Sequence, residues 1–160
     1  MRKYTLLLFI SFFVESSFCQ SEVPYPEGFN LLNDFTLNKS LFKQDIVDWG
    51  SKEDDYGYVW KSDQRDYVVY ELFQFRNEAE IHTLYVADNN LKCKIARRIA
   101  NNYDKGWIDT TKTMVKTEEY YLFVDGGFKR LGGDLREINS PSNDTVRKEI
   151  ESLFKAATQK

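Results

Sequence analysis

The chain has 160 residues, which suits one domain and leaves no room for two full cores. Hydrophobic residues make up 42% and charged residues 29%, a balance that excludes a disordered tail and a polytopic membrane protein. The net charge of −3 provides no basic footprint for nucleic acid, so no nucleic-acid partner is predicted. Aromatic residues reach 16%, enough to build a packed core from a short chain.

Residues 1–19 have the pattern of a secretory signal peptide. Arg2 and Lys3 precede an uncharged, mostly apolar run over residues 5–14, and Ser17 and Cys19 stand at positions −3 and −1 of a cleavage site. The run is too short for a transmembrane helix, which needs about 20 apolar residues. The segment resembles bacterial signal peptides. We therefore expect a periplasmic or secreted protein that begins at Gln20.

An alternative is that Cys19 becomes a lipid-modified N-terminus. Lipoprotein signals carry a small residue directly before the cysteine, whereas Phe18 stands here, so simple cleavage is favoured. Cleavage leaves Cys93 as the only cysteine, and one thiol cannot close an internal disulfide. No later segment is apolar for long enough to span a bilayer, so no transmembrane segment is predicted in the mature chain.

The first part of the mature chain reads as irregular and then helical. Residues 20–27 form an extended lead in a stretch that carries Pro24, Pro26 and Gly28 and shows no sustained period up to Asn38. Residues 41–49 follow helical spacing after Ser40, a suitable N-cap.

Strand patterns begin at Tyr56. Three strands are predicted over residues 56–61, 67–76 and 81–87, and the short links between them favour antiparallel pairing. A helix is predicted from Asn89 or Asn90 to Tyr103, because apolar residues recur there with helical spacing.

The remaining pattern is a hairpin followed by a helix. Residues 114–124 and 128–131 are predicted strands joined at Asp125-Gly126, and residues 144–157 form an amphipathic helix. Together the elements predict a single α+β domain over residues 28–158. We expect an antiparallel sheet of about five strands with helices packed on one face.

Few residues point to catalysis. His82 is the only histidine, so a histidine-rich metal site is excluded, and neither a metal nor a cofactor is predicted. Cys93, flanked by Lys92 and Lys94, falls in the first turn of the predicted helix at 89–103. Helix N-termini and nearby cations lower a thiol pKa, so Cys93 could be a reactive thiol, although a bystander thiol is favoured.

Glu71 interrupts an aromatic face of the predicted strand at 67–76. A carboxyl group among rings can have a raised pKa and act as a general acid, with Asp109 or Asp125 as conceivable partners. More often such a residue pairs with a cross-strand base or lies at a sheet edge. A small periplasmic hydrolase that uses carboxylates such as Glu71 is therefore the alternative function.

The favoured function is binding. Tyr56, Tyr58 and Trp60 point to one side of a strand, and Trp49 and Trp107 stand near the ends of elements. Tyrosine and tryptophan are enriched in binding surfaces, although core packing explains such residues more often. We interpret the chain as an exported binding protein, of the inhibitor or immunity type, whose partner is another exported protein or a cell-envelope ligand. Its acidity favours a basic partner.

Overall fold

A computed structural model describes residues 26–49, 54–103, 114–124 and 126–159. In this part of the chain there are two α-helices, α1 (Glu27–Leu37) and α2 (Asn143–Thr158), and a 3₁₀ helix at Lys39–Leu41. There are seven strands: β1 (Lys43–Val47), β2 (Tyr56–Lys61), β3 (Tyr67–Arg76), β4 (Ala79–Asp88), β5 (Cys93–Tyr103), β6 (Met114–Val124) and β7 (Gly127–Gly132). The predicted signal peptide, residues 20–25, Trp107, Asp109 and Asp125 lie outside the described residues.

The seven strands form one antiparallel sheet in which each strand pairs with its neighbours in sequence. The β3–β4 ladder is the longest regular one and runs from Tyr67 opposite Asp88 to Arg76 opposite Ala79. The β6–β7 hairpin turns at Gly126, whose φ of +77° favours glycine. The antiparallel meander that the short links predict is confirmed.

The two helices pack on opposite faces of the sheet. Successive side chains of a strand point to opposite faces, so Val69 and Tyr70 belong to different clusters. The first face packs against α1 through Leu32 and Phe35. The second face packs against α2 through Ile150 and Ala157. The two cores share only the sheet itself.

Polar contacts fasten α1 to the sheet. The Asp34 carboxylate accepts hydrogen bonds from Arg65 Nε at 2.6 Å, the Tyr67 hydroxyl at 2.6 Å and Asn38 Nδ2 at 2.7 Å. These donors hold the pKa of Asp34 near 2, from an ordinary value of 3.8, with the hydrogen bond from Arg65 as the largest cause. A single carboxylate thus ties α1 to β3 and to the β2–β3 loop.

The α+β class is confirmed, but two details of the predicted architecture are wrong. In the described part of the chain the sheet has seven strands rather than about five. The helices cover both faces rather than one. Along β3 and β4, apolar residues point to both faces of the sheet, so each face has its own core. A sheet that is apolar on both faces needs cover on both.

Three element predictions are also wrong. Residues 41–49 contain β1, which pairs with β2, and residues 89–103 contain β5 at the centre of the β4–β5–β6 ladders. The irregular stretch before Asn38 contains α1, which begins directly after Pro26 at the N-cap position. Proline suits a helix start because its missing N–H has no intrahelical partner there.

The other strands and the C-terminal helix are confirmed. Strands β2, β3, β4, β6 and β7 and helix α2 fall within a few residues of their predicted bounds. The apolar stripe predicted for α2 contacts the second face through Val146, Ile150, Leu153, Phe154 and Ala157. Neither described helix is long and apolar enough to cross a membrane.

Candidate functional site

Helix α1 covers one half of the first face, and aromatic side chains occupy the other half. The covered half contains Val69, Val86 and Ile95, all fully buried. The other half carries residues of β2, β3 and β4 that are exposed or half-buried. We call this set the aromatic platform: Tyr56, Tyr58, Phe73, Phe75 and His82.

Strand pairing sets the rings of the platform against one another. Phe73 and His82 are directly opposite across β3 and β4 and stack with ring centroids 4.5 Å apart and planes 9° apart. On the other side Phe73 stacks on Tyr56 at 4.7 Å. Tyr58 contacts Phe73 and Tyr56 edge-on at 6.2 and 5.8 Å. The stacked rings thus run across three strands.

The Glu71 carboxylate lies between the aromatic platform and the core under α1. Glu71 is only 7% exposed, and three donors surround its carboxylate. Trp60 Nε1 donates to Oε2 at 2.8 Å, Lys39 Nζ lies 3.2 Å from Oε2, and His82 Nε2 lies 3.1 Å from Oε1. Because an ionised carboxylate can only accept hydrogen bonds, the proton of this pair is on His82 Nε2.

These donors reverse the pKa shift that the sequence predicts for Glu71. Burial raises the pKa, but the hydrogen bond from His82 and the charge and hydrogen bond of Lys39 outweigh burial, so the pKa is lowered. The lowered pKa favours an ionised carboxylate at neutral pH, so it does not support the raised pKa on which a general-acid role for Glu71 depends. The structure agrees better with the other interpretation of Glu71, in which a basic side chain pairs with it. The basic side chain is Lys39, which belongs to the 3₁₀ helix and not to a neighbouring strand.

Lys39 also contacts the aromatic rings beside Glu71. Its Nζ lies 4.1 Å from the centroid of the Trp60 ring and 5.4 Å from that of Phe35. A cation over an aromatic face is attracted by the ring quadrupole. Lys39, Trp60 and Glu71 thus form a compact group that links α1, the 3₁₀ helix and the sheet.

The tryptophans predicted as binding residues are placed apart. Trp60 contacts Tyr58 edge-on with ring centroids 6.4 Å apart, packs partly against the core under α1 and donates a hydrogen bond to Glu71. Trp49 is 4% exposed and belongs to the core of the second face, so it shares no surface with the platform. Trp107 lies outside the described residues. Tyr56, Tyr58 and Trp60 are therefore the predicted binding residues that the structure places in a row on one face, with Tyr56 exposed and Tyr58 and Trp60 half-buried.

Cys93 begins β5 rather than a helix, so the helix-based argument for a reactive thiol fails. Its Sγ lies 3.5 Å from the carbonyl oxygen of Ile95, and burial raises the pKa of the thiol far above its usual range. A protonated thiol is a weak nucleophile. Cys93 lines a cavity of about 260 Å³ between α2 and the β5–β6 region, together with Phe123 and Phe154.

Within residues 26–49, 54–103, 114–124 and 126–159, no three His, Cys, Asp or Glu side chains come close enough to hold a metal ion. Comparison of the chain with protein-family models, with curated proteins and with solved structures finds no match in any of the three.

Sequence reasoning missed part of the platform. Strand alternation puts Phe73 and Phe75 on one face of β3, but no pattern in the sequence links them to Tyr56 or to His82. The missing information was the register, since Tyr56 faces Phe73 across β2–β3 and His82 faces Phe73 across β3–β4. No pattern in the sequence links Lys39 to Glu71, because Lys39 lies in the 3₁₀ helix and Glu71 lies in β3.

Proposed function

We propose that this protein is an exported binding protein whose aromatic platform contacts another protein. The observation that carries the proposal is the row of stacked rings across β2, β3 and β4 on the half of the first face away from α1. Tyr56 is 41% exposed at one end of this row. Large exposed aromatic patches are typical of interaction surfaces. Export itself is proposed from the sequence of residues 1–19.

The orientation of the rings favours a protein partner over a sugar. Tyr56, Phe73 and His82 use their faces to stack on one another, at centroid distances of 4.5–4.7 Å. The ring edges and the tyrosine hydroxyl are not used in these stacks and can contact a ligand. Sugar binding commonly uses open ring faces, whereas tyrosine edges and hydroxyls suit the mixed apolar and polar surface of a protein.

The charges near the platform favour a partner with cationic side chains. Burial raises the pKa of Tyr56 most, and the neighbouring Tyr58, Glu71 and Glu80 raise it further. A hollow of about 160 Å³ lies at one side of the platform, lined by Phe75, Glu80, His82 and Asn101 among others. A lysine or arginine of a partner would find apolar walls and a carboxylate there.

Site-specific photo-crosslinking tests the proposal. A benzoylphenylalanine at position 56 should yield one defined adduct in the native cells, and the same probe at Leu135, equally exposed but far in sequence, should not. The protein recovered in the adduct should then bind the purified chain, and Tyr56→Ser together with Phe75→Ser should weaken that binding about tenfold or more. Equal crosslinking at both positions, or binding that ignores both substitutions, would contradict the proposal.

Export has a separate test. N-terminal sequencing of the protein from its native cells should show Gln20 as the first residue, and a retained Met1 would overturn export. A lipid on Cys19 would replace simple cleavage by anchoring while leaving the platform proposal intact.

A small hydrolase is the second candidate, and one contact favours it. Glu71 orients His82 through Nε2, as carboxylates orient histidines that act as general bases on water. The ionised Glu71 would then be a positioning residue rather than an acid. Turnover of a glycan or ester substrate that disappears in His82→Gln, with an unchanged melting temperature, would favour this candidate over binding.

A further inference from the structure

The outer edge of β1 is the open edge of the sheet among the described residues. β1 pairs with β2 on one side, and the sheet order places no described strand on the other. At the opposite edge, the segment that follows β7 folds back and pairs with β7. Ile138 N donates to the Arg130 carbonyl oxygen at 2.8 Å, and Leu131 and Glu137 form an antiparallel β-bridge. Unprotected edge strands are places where another strand can add.

Ile46 adds an apolar contact to this edge. Its side chain is 82% exposed and lies opposite Tyr58, so it stands on the first face at the border of the aromatic platform. Ile46 is the most exposed of the large hydrophobic side chains in the described part of the chain. An exposed isoleucine on an edge strand is an aggregation hazard unless a partner covers it.

Symmetry restricts how two copies of β1 can pair. Two antiparallel strands that lie side by side are related by a two-fold axis perpendicular to the sheet, and this axis keeps each face on its own side. Directly opposite residues share a face, and faces alternate along a strand. The axis must therefore lie midway between the two copies of one residue. An axis at the end residues Lys43 or Val47 would pair little of β1, which leaves Gln44, Asp45 or Ile46 as central residues.

Charge selects Gln44 among these three. An axis at Asp45 places two aspartates directly opposite each other, which is destabilising. An axis at Ile46 pairs Asp45 with Val47 of the second copy and leaves the charge of Lys43 without a carboxylate across the strand pair. An axis at Gln44 places Lys43 opposite Asp45 of the second copy, twice per pair of strands. It also sets Ile46 opposite Phe42, whose ring belongs to the first-face core.

We propose that a second copy of this chain adds to the β1 edge, in antiparallel register about Gln44, to form one continuous sheet of fourteen strands. Both aromatic platforms then lie on the same side of that sheet. The proposal rests on the β1 edge and is independent of the partner proposed for the platform. Because only about five residues per copy pair, the dimer is expected to be weak, with a dissociation constant in the micromolar range, about 1–100 µM.

Charge reversal at Lys43 and Asp45 tests the register. Sedimentation equilibrium should show a monomer–dimer equilibrium for the purified protein. Lys43→Asp and Asp45→Lys should each weaken the dimer about tenfold, and the double variant K43D/D45K should restore it. Asp63→Lys is the matched control, since it removes the surface pair between Lys43 and Asp63, 3.7 Å apart, without changing β1. A purely monomeric protein, or single variants that dimerise like the wild type, would overturn the proposal.

A cysteine crosslink gives a second measurement that does not depend on charge. Gln44→Cys places two thiols opposite each other at the axis, within the Cα separation of about 4.4–6.8 Å that a disulfide needs. Asp45→Cys places the two thiols about two residues out of register, so their Cα atoms are farther apart than a disulfide allows. Mild oxidation should therefore give covalent dimers with Q44C and few with D45C. The reverse order, or no dimers with either variant, would overturn the register.

Discussion

At the level of single residues, the three donors around Glu71 determine its protonation state. The carboxylate accepts from Trp60 and lies close to Lys39 and His82, and its pKa is lowered despite burial. A buried charge costs little stability when all its hydrogen bonds are made. Loss of one partner leaves a buried polar group without a hydrogen bond, which is destabilising. Glu71 therefore fixes the positions of Lys39, Trp60 and His82.

Glu71→Gln should lower the free energy of unfolding by about 1–3 kcal/mol, because the neutral amide loses the charge-assisted contacts to Lys39 and His82. Urea denaturation monitored by tryptophan fluorescence would measure this loss. Asp63→Asn, at a fully exposed carboxylate, should change stability by less than about 0.5 kcal/mol. An equal effect of both substitutions would show that the buried group is unimportant.

At the level of elements, the spacing of apolar residues over 91–103 is compatible with both a helix and a strand. Leu91, Ile95, Ile99 and Tyr103 recur every four residues, which is near one helical turn and is also a multiple of the strand period. Only the partner strands decide, and β5 pairs along most of its length with β4 and β6. The alternation in β2 and the aromatic and β-branched composition of β3 have no such ambiguity, which is why those strands could be predicted.

The candidate site could be predicted only in part for a related reason. Tyr56 and Tyr58 share a face by simple alternation, so the sequence places them together. Their contacts with Phe73 and His82 depend on the register across two strand pairs, which the local pattern does not contain. Lys39 reaches Glu71 across 32 positions of sequence, and no periodicity links residues so far apart.

The approach of Trp49 to β2 requires glycine at position 57. A Cβ atom there would lie 2.7 Å from Leu72 Cδ2 and 2.9 Å from Trp49 Cδ1, closer than real contacts allow. Gly57→Ala should therefore lower the free energy of unfolding by about 1–3 kcal/mol through overpacking. Thermal unfolding would measure the effect.

Gly133→Ala is the matched control for Gly57→Ala. A Cβ atom at position 133 meets Glu118 at 3.4 Å, an ordinary contact, so a small change is expected. A melting temperature for Gly57→Ala equal to that of this control would mean that the second-face core adapts freely around Trp49.

At the level of the whole molecule, several carboxylates with lowered pKa values make stability depend on pH. Asp34 has a pKa of about 2. The pKa values of Glu71, Glu118 and Glu119 are also lowered, because hydrogen bonds and nearby positive charges outweigh the rise in pKa that burial causes. In each case the unfolded chain binds protons at a higher pH than the folded chain. Their stabilising contribution is therefore complete above the unfolded values and is lost as pH falls through the folded ones.

We expect the free energy of unfolding to decrease as the pH falls from about 5 to about 2. Urea unfolding at several pH values would measure the slope. Asp34→Asn should lower stability at neutral pH by about 1–3 kcal/mol, and should flatten the slope between about pH 4 and about pH 2, because its titration is removed. An unchanged slope in this variant would contradict the assignment to Asp34.

The sequential order of the seven strands has a kinetic consequence. Each strand finds its partner a short distance along the chain, so the sheet can grow one hairpin at a time and loop closure costs little entropy at each step. The helices, at opposite ends of the described chain, then close the two faces independently. Refolding should be faster than in sheet proteins whose neighbouring strands are distant in sequence, and substitutions in the β3–β4 hairpin should slow refolding more than substitutions in α2.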